Sequence, residues 1–245
     1  MNTPRFYCPQ PLAPGARFEL PPEVARHAVR VLRLPPGAEL TLFDGRGGEY
    51  PATLERVDKD HASVHIGPWR DIERESPLQL TLLQAVQAAD KMDFTVQKAV
   101  ELGVAAIVPL TSRRSVVRLD GERAVKRVAH WQGIAAAACE QCGRNRIPMV
   151  APLEPLLHGL SRPAVPGRLR LMLAPGAARH LADLPAGQDI ELLIGAEGGL
   201  DPEEITAAAQ CGFVPVKLGP RILRTETAGL AALAALQALR GDWGG

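Results

Sequence analysis

The chain has 245 residues, 46% of them hydrophobic and 4% aromatic, so Leu, Val, Ile and Ala must fill its core, and base stacking is excluded as its main grip on nucleic acid. Its 28 basic and 27 acidic residues leave a formal charge of +1, which taken whole points neither toward nor away from a polyanion. The first ten residues hold no apolar stretch of the signal-peptide kind, and the run Ala228 to Leu239 is shorter than the ~20 residues that cross a bilayer, so a soluble, cytoplasmic protein is expected.

Residues 1–70 read as a small β-rich domain. Pro22 to Leu34 suits a short helix that sets Arg26, Arg30 and Arg33 on one face, opposite Val24, Ala28, Val31 and Leu32. Such a stripe would hold a phosphate backbone or simply solubilise the surface. Leu40 to Phe43, the Gly-rich turn Asp44 to Gly48 and Glu49 to Val57 form a hairpin pattern, and Ala62 to Ile66 is a further strand. The polar stretch Trp69 to Pro77 reads as connection, with the linker proper at 71–77.

From residue 78 to 245 strand and helix patterns alternate, as in an α/β domain. Strands are expected at Leu78 to Val86, Val104 to Leu110, Leu169 to Ala174, Ile190 to Ile194 and Phe213 to Leu218. Asp90 is placed to cap a helix ending at Gly103, and Glu122 to Cys142 is a long helix ending at Gly143. Asp201-Pro202-Glu203-Glu204 combines an N-cap, an N1 proline and a capping-box acid for a helix that closes at Gly212. Thr225 can cap the last helix, which runs to Arg240.

Between Arg113 and Arg146 eight basic residues face only Asp120, Glu122 and Glu140, either a solvated helix face or a patch for phosphates. Cys139-Glu140-Gln141-Cys142 has redox or half-zinc spacing, but no second pair exists and the histidines show no ligand spacing, so no metal is expected and a packed helix face is the reading.

Two loops follow buried strands: Ile194-Gly195-Ala196-Glu197-Gly198-Gly199-Leu200, and Leu218 to Ala228 with Pro220, Arg221, Arg224 and Glu226. Ligands of α/β sheets bind outside the carboxyl ends of strands. Neither loop has a Gly-Lys-Ser/Thr triplet or GxGxxG spacing, which excludes a P-loop and makes a dinucleotide dehydrogenase a poor reading. What remains is a ligand held mostly by backbone groups, with an arginine pair at a helix start suited to an anion.

Motifs over nearly the whole chain carry a resemblance. They are Arg5-Phe6, His27 with Val31-Leu32-Arg33, Leu42-Phe43-Asp44-Gly45, Lys91-Met92-Asp93, Gln97 to Gly103, Arg114-Ser115, Glu140 to Arg144 with Pro148, and the two loops. The chain resembles the bacterial RsmE family, 16S rRNA uridine-N3 methyltransferases of the SPOUT superfamily. One departure is Ala196, where the family usually has proline.

The resemblance implies a PUA-like β-barrel that assists RNA binding, followed by a SPOUT α/β domain whose last segment threads a deep trefoil knot. It implies S-adenosyl-L-methionine as cofactor, held mostly through backbone at Leu173, Gly195, Glu197, Gly199, Leu218, Pro220, Ile222 and Leu223. A homodimer acting on 16S rRNA of the small ribosomal subunit is implied, with no membrane partner. Arg224 is expected as the cation at the reacting base, Glu226 as the group that orients it or accepts the proton, and Glu197 as a second base. RNA contacts are expected from Arg5, Arg26, Arg30, Arg33, Arg114 and Arg144. A non-catalytic RNA-binding or ribosome-assembly protein on the same scaffold would keep the arginines and lose the cofactor pocket.

Overall fold

The computed structural model describes residues 3–58, 61–185 and 187–244. The chain divides into two compact units, residues 1–75 with 139–147, and residues 76–138 with 148–245. The division after Glu75 falls within the 71–77 stretch, and Cys139–Ile147 groups with the first unit although it lies in the second half of the sequence.

In the first unit the strands β1 (Arg5–Tyr7), β2 (Arg17–Glu19), β3 (Glu39–Phe43), β4 (Tyr50–Asp58) and β5 (His61–Ile66) form one sheet in the order β1-β3-β4-β5-β2. β1 runs parallel to β3 and the other pairs are antiparallel. The pairing is linear, so among the described residues β1 and β2 do not hydrogen-bond to each other to close the expected barrel. Alternating Leu40, Leu42, Ala52, Leu54, Val64 and Ile66 turn inward against Phe6, Cys8, Val24 and Ala28.

The helix expected from Pro22 is shorter and differently wound. α1 (Pro22–Arg26) passes directly into a π-helical turn, His27–Val31, and Arg33 stands beyond it with φ of 53°. The wider turn shifts the spacing, so Arg26, Arg30 and Arg33 do not form one α-helical stripe, although all three are exposed.

The stretch read as linker is held in place. Arg70 exchanges backbone bonds with Glu49, Gly48 donates to Glu73, and Asn145 Nδ2 donates to the Ile72 carbonyl. Arg5 pairs with Glu49, donates to Asn145 Oδ1 at 2.6 Å and lies over the Phe43 ring. Burial alone would raise the Glu49 carboxyl, but Arg5, with Asn145 and Arg74, outweighs it and holds that group below the usual carboxylate value. Arg144 is 5% exposed and grips Glu75 through Nε and Nη2. Arg5 and Arg144, both expected at RNA, are thus engaged in ion pairs within the first unit. Cys139 is buried, and its thiol is pushed up to about 12 by burial, a packed side chain as expected.

The second unit carries β6 (Gln79–Ala85), α2 (Ala89–Glu101), β7 (Ala106–Thr111), α3 (Gly121–Cys142) up to Ala138, β8 (Met149–Val150), β9 (Glu154–Pro155), α4 (Leu156–Leu160), β10 (Leu169–Leu173), β11 (Asp189–Ile194), α5 (Pro202–Gln210), β12 (Val214–Val216) and α6 (Thr225–Arg240). Its seven-stranded sheet has the order β12-β10-β11-β6-β7-β8, with β9 also on β7, and its pairs are parallel. β7 is a near-continuous apolar run, and β6 and β11 are buried along most of their length, because helices cover both sheet faces. On one side Leu83, Val108, Met172 and Leu193 meet Leu156, Leu160, Ala208 and Phe213. On the other α6 packs on α2, β6 and β11.

Two caps differ from expectation. Ala88, not Asp90, is the N-cap residue of α2, and Arg224 precedes α6 without a side-chain cap. α5 starts as read, with the Asp201 side chain accepting from Glu203 N and Glu204 completing the capping box.

Candidate active site

The carboxyl ends of β10, β11 and β12, three adjacent parallel strands, open onto a cavity of about 380 Å³. Its walls come from Met172 to Pro175 at the end of β10, Ile194 to Glu197 with Gly199 and Leu200 at the end of β11, and Val216 to Gly219 with Arg221 to Thr225 at the end of β12, with Lys91 reaching in from α2. Of the residues expected at a cofactor, Leu173, Gly195, Glu197, Gly199, Leu218, Ile222 and Leu223 line this cavity; Pro220 is beside it on the loop but does not. Arg224 and Glu197 also line it, whereas Glu226 stands behind Lys91.

The glycine loop is built tightly. Gly199 N donates to the Ala196 carbonyl at 2.8 Å, and Gly199 takes φ of 72°, a conformation open to glycine at no steric cost. A Cβ on Gly195 would lie 2.9 Å from the backbone of both Gly199 and Leu200, so the turn closes only over glycine. From outside, Arg114 Nη1 donates to the Gly198 carbonyl at 2.8 Å. Arg114, expected at RNA, therefore braces the loop. Its neighbour Arg113 pairs with Glu203 and Asp201, so part of the basic segment is already neutralised.

Thr225 ties the two loops together. Its hydroxyl donates to the Gly195 carbonyl at 2.6 Å and accepts from Gln84 Nε2 at 3.2 Å. Instead of capping its own helix, Thr225 fastens the loop after β12 to the loop after β11. Gln87, 1% exposed, sits next to it. Turned so that its donors and acceptors are satisfied, its Oε1 accepts from Glu226 N at 3.2 Å and its Nε2 donates to the Lys91 carbonyl at 3.2 Å.

The charged groups fall differently from expectation. Glu226 was expected to orient Arg224 or accept the proton; its carboxylate lies 3.5 Å from Lys91 Nζ, and its Oε2 is buried without a hydrogen-bond partner. Arg224 and Arg221 are exposed at the cavity mouth. Glu197 is exposed, with Oε1 3.5 Å from Ala88 N. Sequence reasoning missed Lys91, Gln84 and Gln87. The first carries a signal, since a lysine in the first turn of a helix opposes the helix dipole and needs another reason to be there; glutamines on a buried strand carry none without the fold.

A strand-end cavity built from a glycine loop and an arginine loop in a parallel sheet is a nucleotide-like ligand site, and family comparison defines its class. Residues 74–237 match the RNA methyltransferase domain family and residues 20–67 the RNA methyltransferase PUA domain. The chain is therefore an RNA methyltransferase by family, with an α/β catalytic fold and an N-terminal PUA-like domain. It is 34% identical to the ribosomal RNA small subunit methyltransferase E of Buchnera aphidicola subsp. Schizaphis graminum over 98% of this chain and 97% of that one. The Bacillus subtilis protein of the same name is 31% identical over 95% and 96%. A crystal structure of the Neisseria gonorrhoeae protein of that name, bound to S-adenosyl methionine, superposes with a TM-score of 0.93 at 45% identity, covering 99% of this chain and 100% of that one. A putative methyltransferase from Legionella pneumophila, also with bound cofactor, gives 0.93 at 42% identity over 99% and 100%. The chain belongs to the ribosomal RNA small subunit methyltransferase E family. No helix among the described residues is long and apolar enough to cross a membrane.

Proposed function

We propose that this protein transfers the methyl group of S-adenosylmethionine to N3 of a uridine in 16S rRNA of the small ribosomal subunit, in the cytoplasm. The observation that carries this reading is the cavity formed where the glycine loop and the Leu218–Thr225 loop are pinned together at the strand ends. The residues fit the cofactor: apolar Leu173, Leu218, Ile222 and Leu223 suit a purine and the aliphatic part of a methionine chain, and backbone groups of Gly195 and Gly199 are uncovered by side chains. When bound, the cofactor supplies an electrophilic methyl group on a sulfonium.

The protein's part is to hold and polarise. The loops fix the geometry of approach, and such positioning alone lowers a barrier by several kcal/mol. The imide N3 is a poor nucleophile until its proton leaves, so the cations at the cavity, Arg224 foremost, stabilise the charge that then spreads over the carbonyl oxygens. Arg26, Arg30 and Arg33, exposed around the π-helical turn, are the RNA contacts of the first unit.

Two finer features belong to the same reading. The last segment forms a trefoil knot, supported by the resemblance and by α6 packing on β6 and β11 after the loop that follows β12. The protein is a homodimer through α6. Ala232, Leu233 and Leu236 are buried in the subunit, while Ala228, Ala231, Ala234 and Ala235 are half-exposed and Leu239 is 52% exposed, leaving an uncharged face of small residues. Calorimetry with S-adenosylmethionine tests the cofactor site: saturable binding at one site per chain is expected, and no binding at millimolar cofactor overturns the reading.

A further inference from the structure

We propose that Lys91 is a catalytic residue of this reaction, holding the negative charge of the uracil ring as N3 ionises, and that Glu226 is the positioning residue that aims it. The proposal rests on the functional reading above and adds to Arg224 a second cation with a fixed setting.

Lys91 lines the cavity from α2, with a side chain 32% exposed. It sits in the first turn of α2, where the helix dipole opposes a cation, so its position is not accounted for by helix stability. Glu226 accounts for it. The carboxylate lies 3.5 Å from Nζ, and Gln87 fastens both backbones at once, donating to the Lys91 carbonyl and accepting from Glu226 N. Gln84 and Gln87 are 0% and 1% exposed, so this support is dry and fixed. An ammonium held this way keeps donors for a ligand in the cavity. The remaining charged groups around it are Glu197 on the glycine loop and Lys217, Arg221 and Arg224 on the loop after β12. Arg221 and Arg224 are exposed, so Lys91 has a more fixed setting than either arginine.

The chemistry is a pre-equilibrium followed by transfer. Uracil N3–H gives its proton to water, leaving an anion delocalised over N3 and the two carbonyl oxygens, and Lys91 donates a hydrogen bond to one of those oxygens. The N3 lone pair then forms the N–C bond as the C–S bond breaks, and the sulfonium becomes a neutral thioether. Glu226 takes no proton in this scheme. Its role is to keep the ammonium in place.

The test is methylation of small ribosomal subunits lacking the modification, using isotopically labelled S-adenosylmethionine, for the parent protein, K91M, K91R and E226Q. K91M should lose on the order of 10²-fold in kcat, with cofactor affinity by calorimetry unchanged. Its pH–rate profile should level off at higher pH than the parent's, because the ionised base is no longer stabilised. K91R should recover most of the rate, and E226Q should lose less than K91M. Undiminished kcat in K91M overturns the proposal. So does weakened cofactor binding with an unmoved pH profile, which would make Lys91 a ligand of the cofactor carboxylate. A larger loss in E226Q than in K91M would make Glu226 the base and overturn the assignment as well. Thermal unfolding separates these outcomes from misfolding, for which K91R is the second variant. A parent protein that forms no 3-methyluridine defeats the functional reading itself, and its own inactivity tells that result from the others.

Discussion

Replacing Gly195 by alanine tests the glycine loop at its most crowded point. The added Cβ would sit 2.9 Å from the Gly199 carbonyl carbon and the Leu200 amide nitrogen, and 3.1 Å from Leu200 Cγ. Carbon atoms pack comfortably at about 3.5–4.0 Å, so the loop must open by roughly half an ångström. It is held shut by Gly199 N on the Ala196 carbonyl at 2.8 Å and by Thr225 on the Gly195 carbonyl at 2.6 Å. Overpacking of this kind costs about 1–3 kcal/mol. The side chain points into the loop and not at the ligand, so the damage reaches the cofactor only through the displaced backbone. At tenfold per 1.4 kcal/mol, cofactor affinity should fall on the order of 10–100-fold. The melting temperature should fall by a few degrees, since about 1 kcal/mol moves a chain of this size by roughly 2–4 °C. Calorimetry and thermal unfolding measure the two together. Affinity within twofold of the parent and an unmoved melting point would show that the loop gives way freely, and the account of its glycine would be wrong.

Three further outcomes follow from the same structure. Thr225→Val removes the clip between the loops and strands the Gly195 carbonyl and a Gln84 donor, at about 1–3 kcal/mol; methylation should fall in Thr225→Val and be kept in Thr225→Ser, and equal rates in the two would remove the clip from the account. Replacing Arg26 and Arg33 by glutamine should flatten the salt dependence of RNA binding by roughly one to two units of log–log slope, with cofactor affinity unchanged; an identical slope makes these arginines plain surface. Ala235→Glu should give folded monomers that sediment at half the parent's mass, whereas Ala232→Glu, at a position 0% exposed within the subunit, should unfold the domain and so says nothing about the dimer; a parent that sediments as a monomer at micromolar concentration refutes the interface.

Much of the second unit was legible because its strands carry apolar cores and its helices strong ends, the Asp201 capping box above all. β1, β2, β8 and β9 are two or three residues long, too short for periodicity to register. The π-helical turn after Arg26 leaves no mark in a residue spacing that also fits an α-helix. Charge counting could not tell Arg144, locked on Glu75, from an exposed arginine, since its partner is 69 residues away. The same limit applies to the site. Its glycines and arginines announce themselves in two short stretches, but Thr225 reads as a helix cap until the fold brings the Gly195 carbonyl to its hydroxyl. Lys91 and Glu226 are paired across 135 positions by the packing of α2 on α6, and no local pattern foretells that.

The central claim is the identity of the modified atom, and nucleoside mass spectrometry addresses it directly. Small ribosomal subunits from a strain lacking the modification are incubated with the purified protein and methyl-labelled S-adenosylmethionine, and the 16S rRNA is digested to nucleosides. The account predicts one labelled product, 3-methyluridine, at about one per subunit. Label in a ribose 2′-O-methyl nucleoside, in another base, or in none would contradict it.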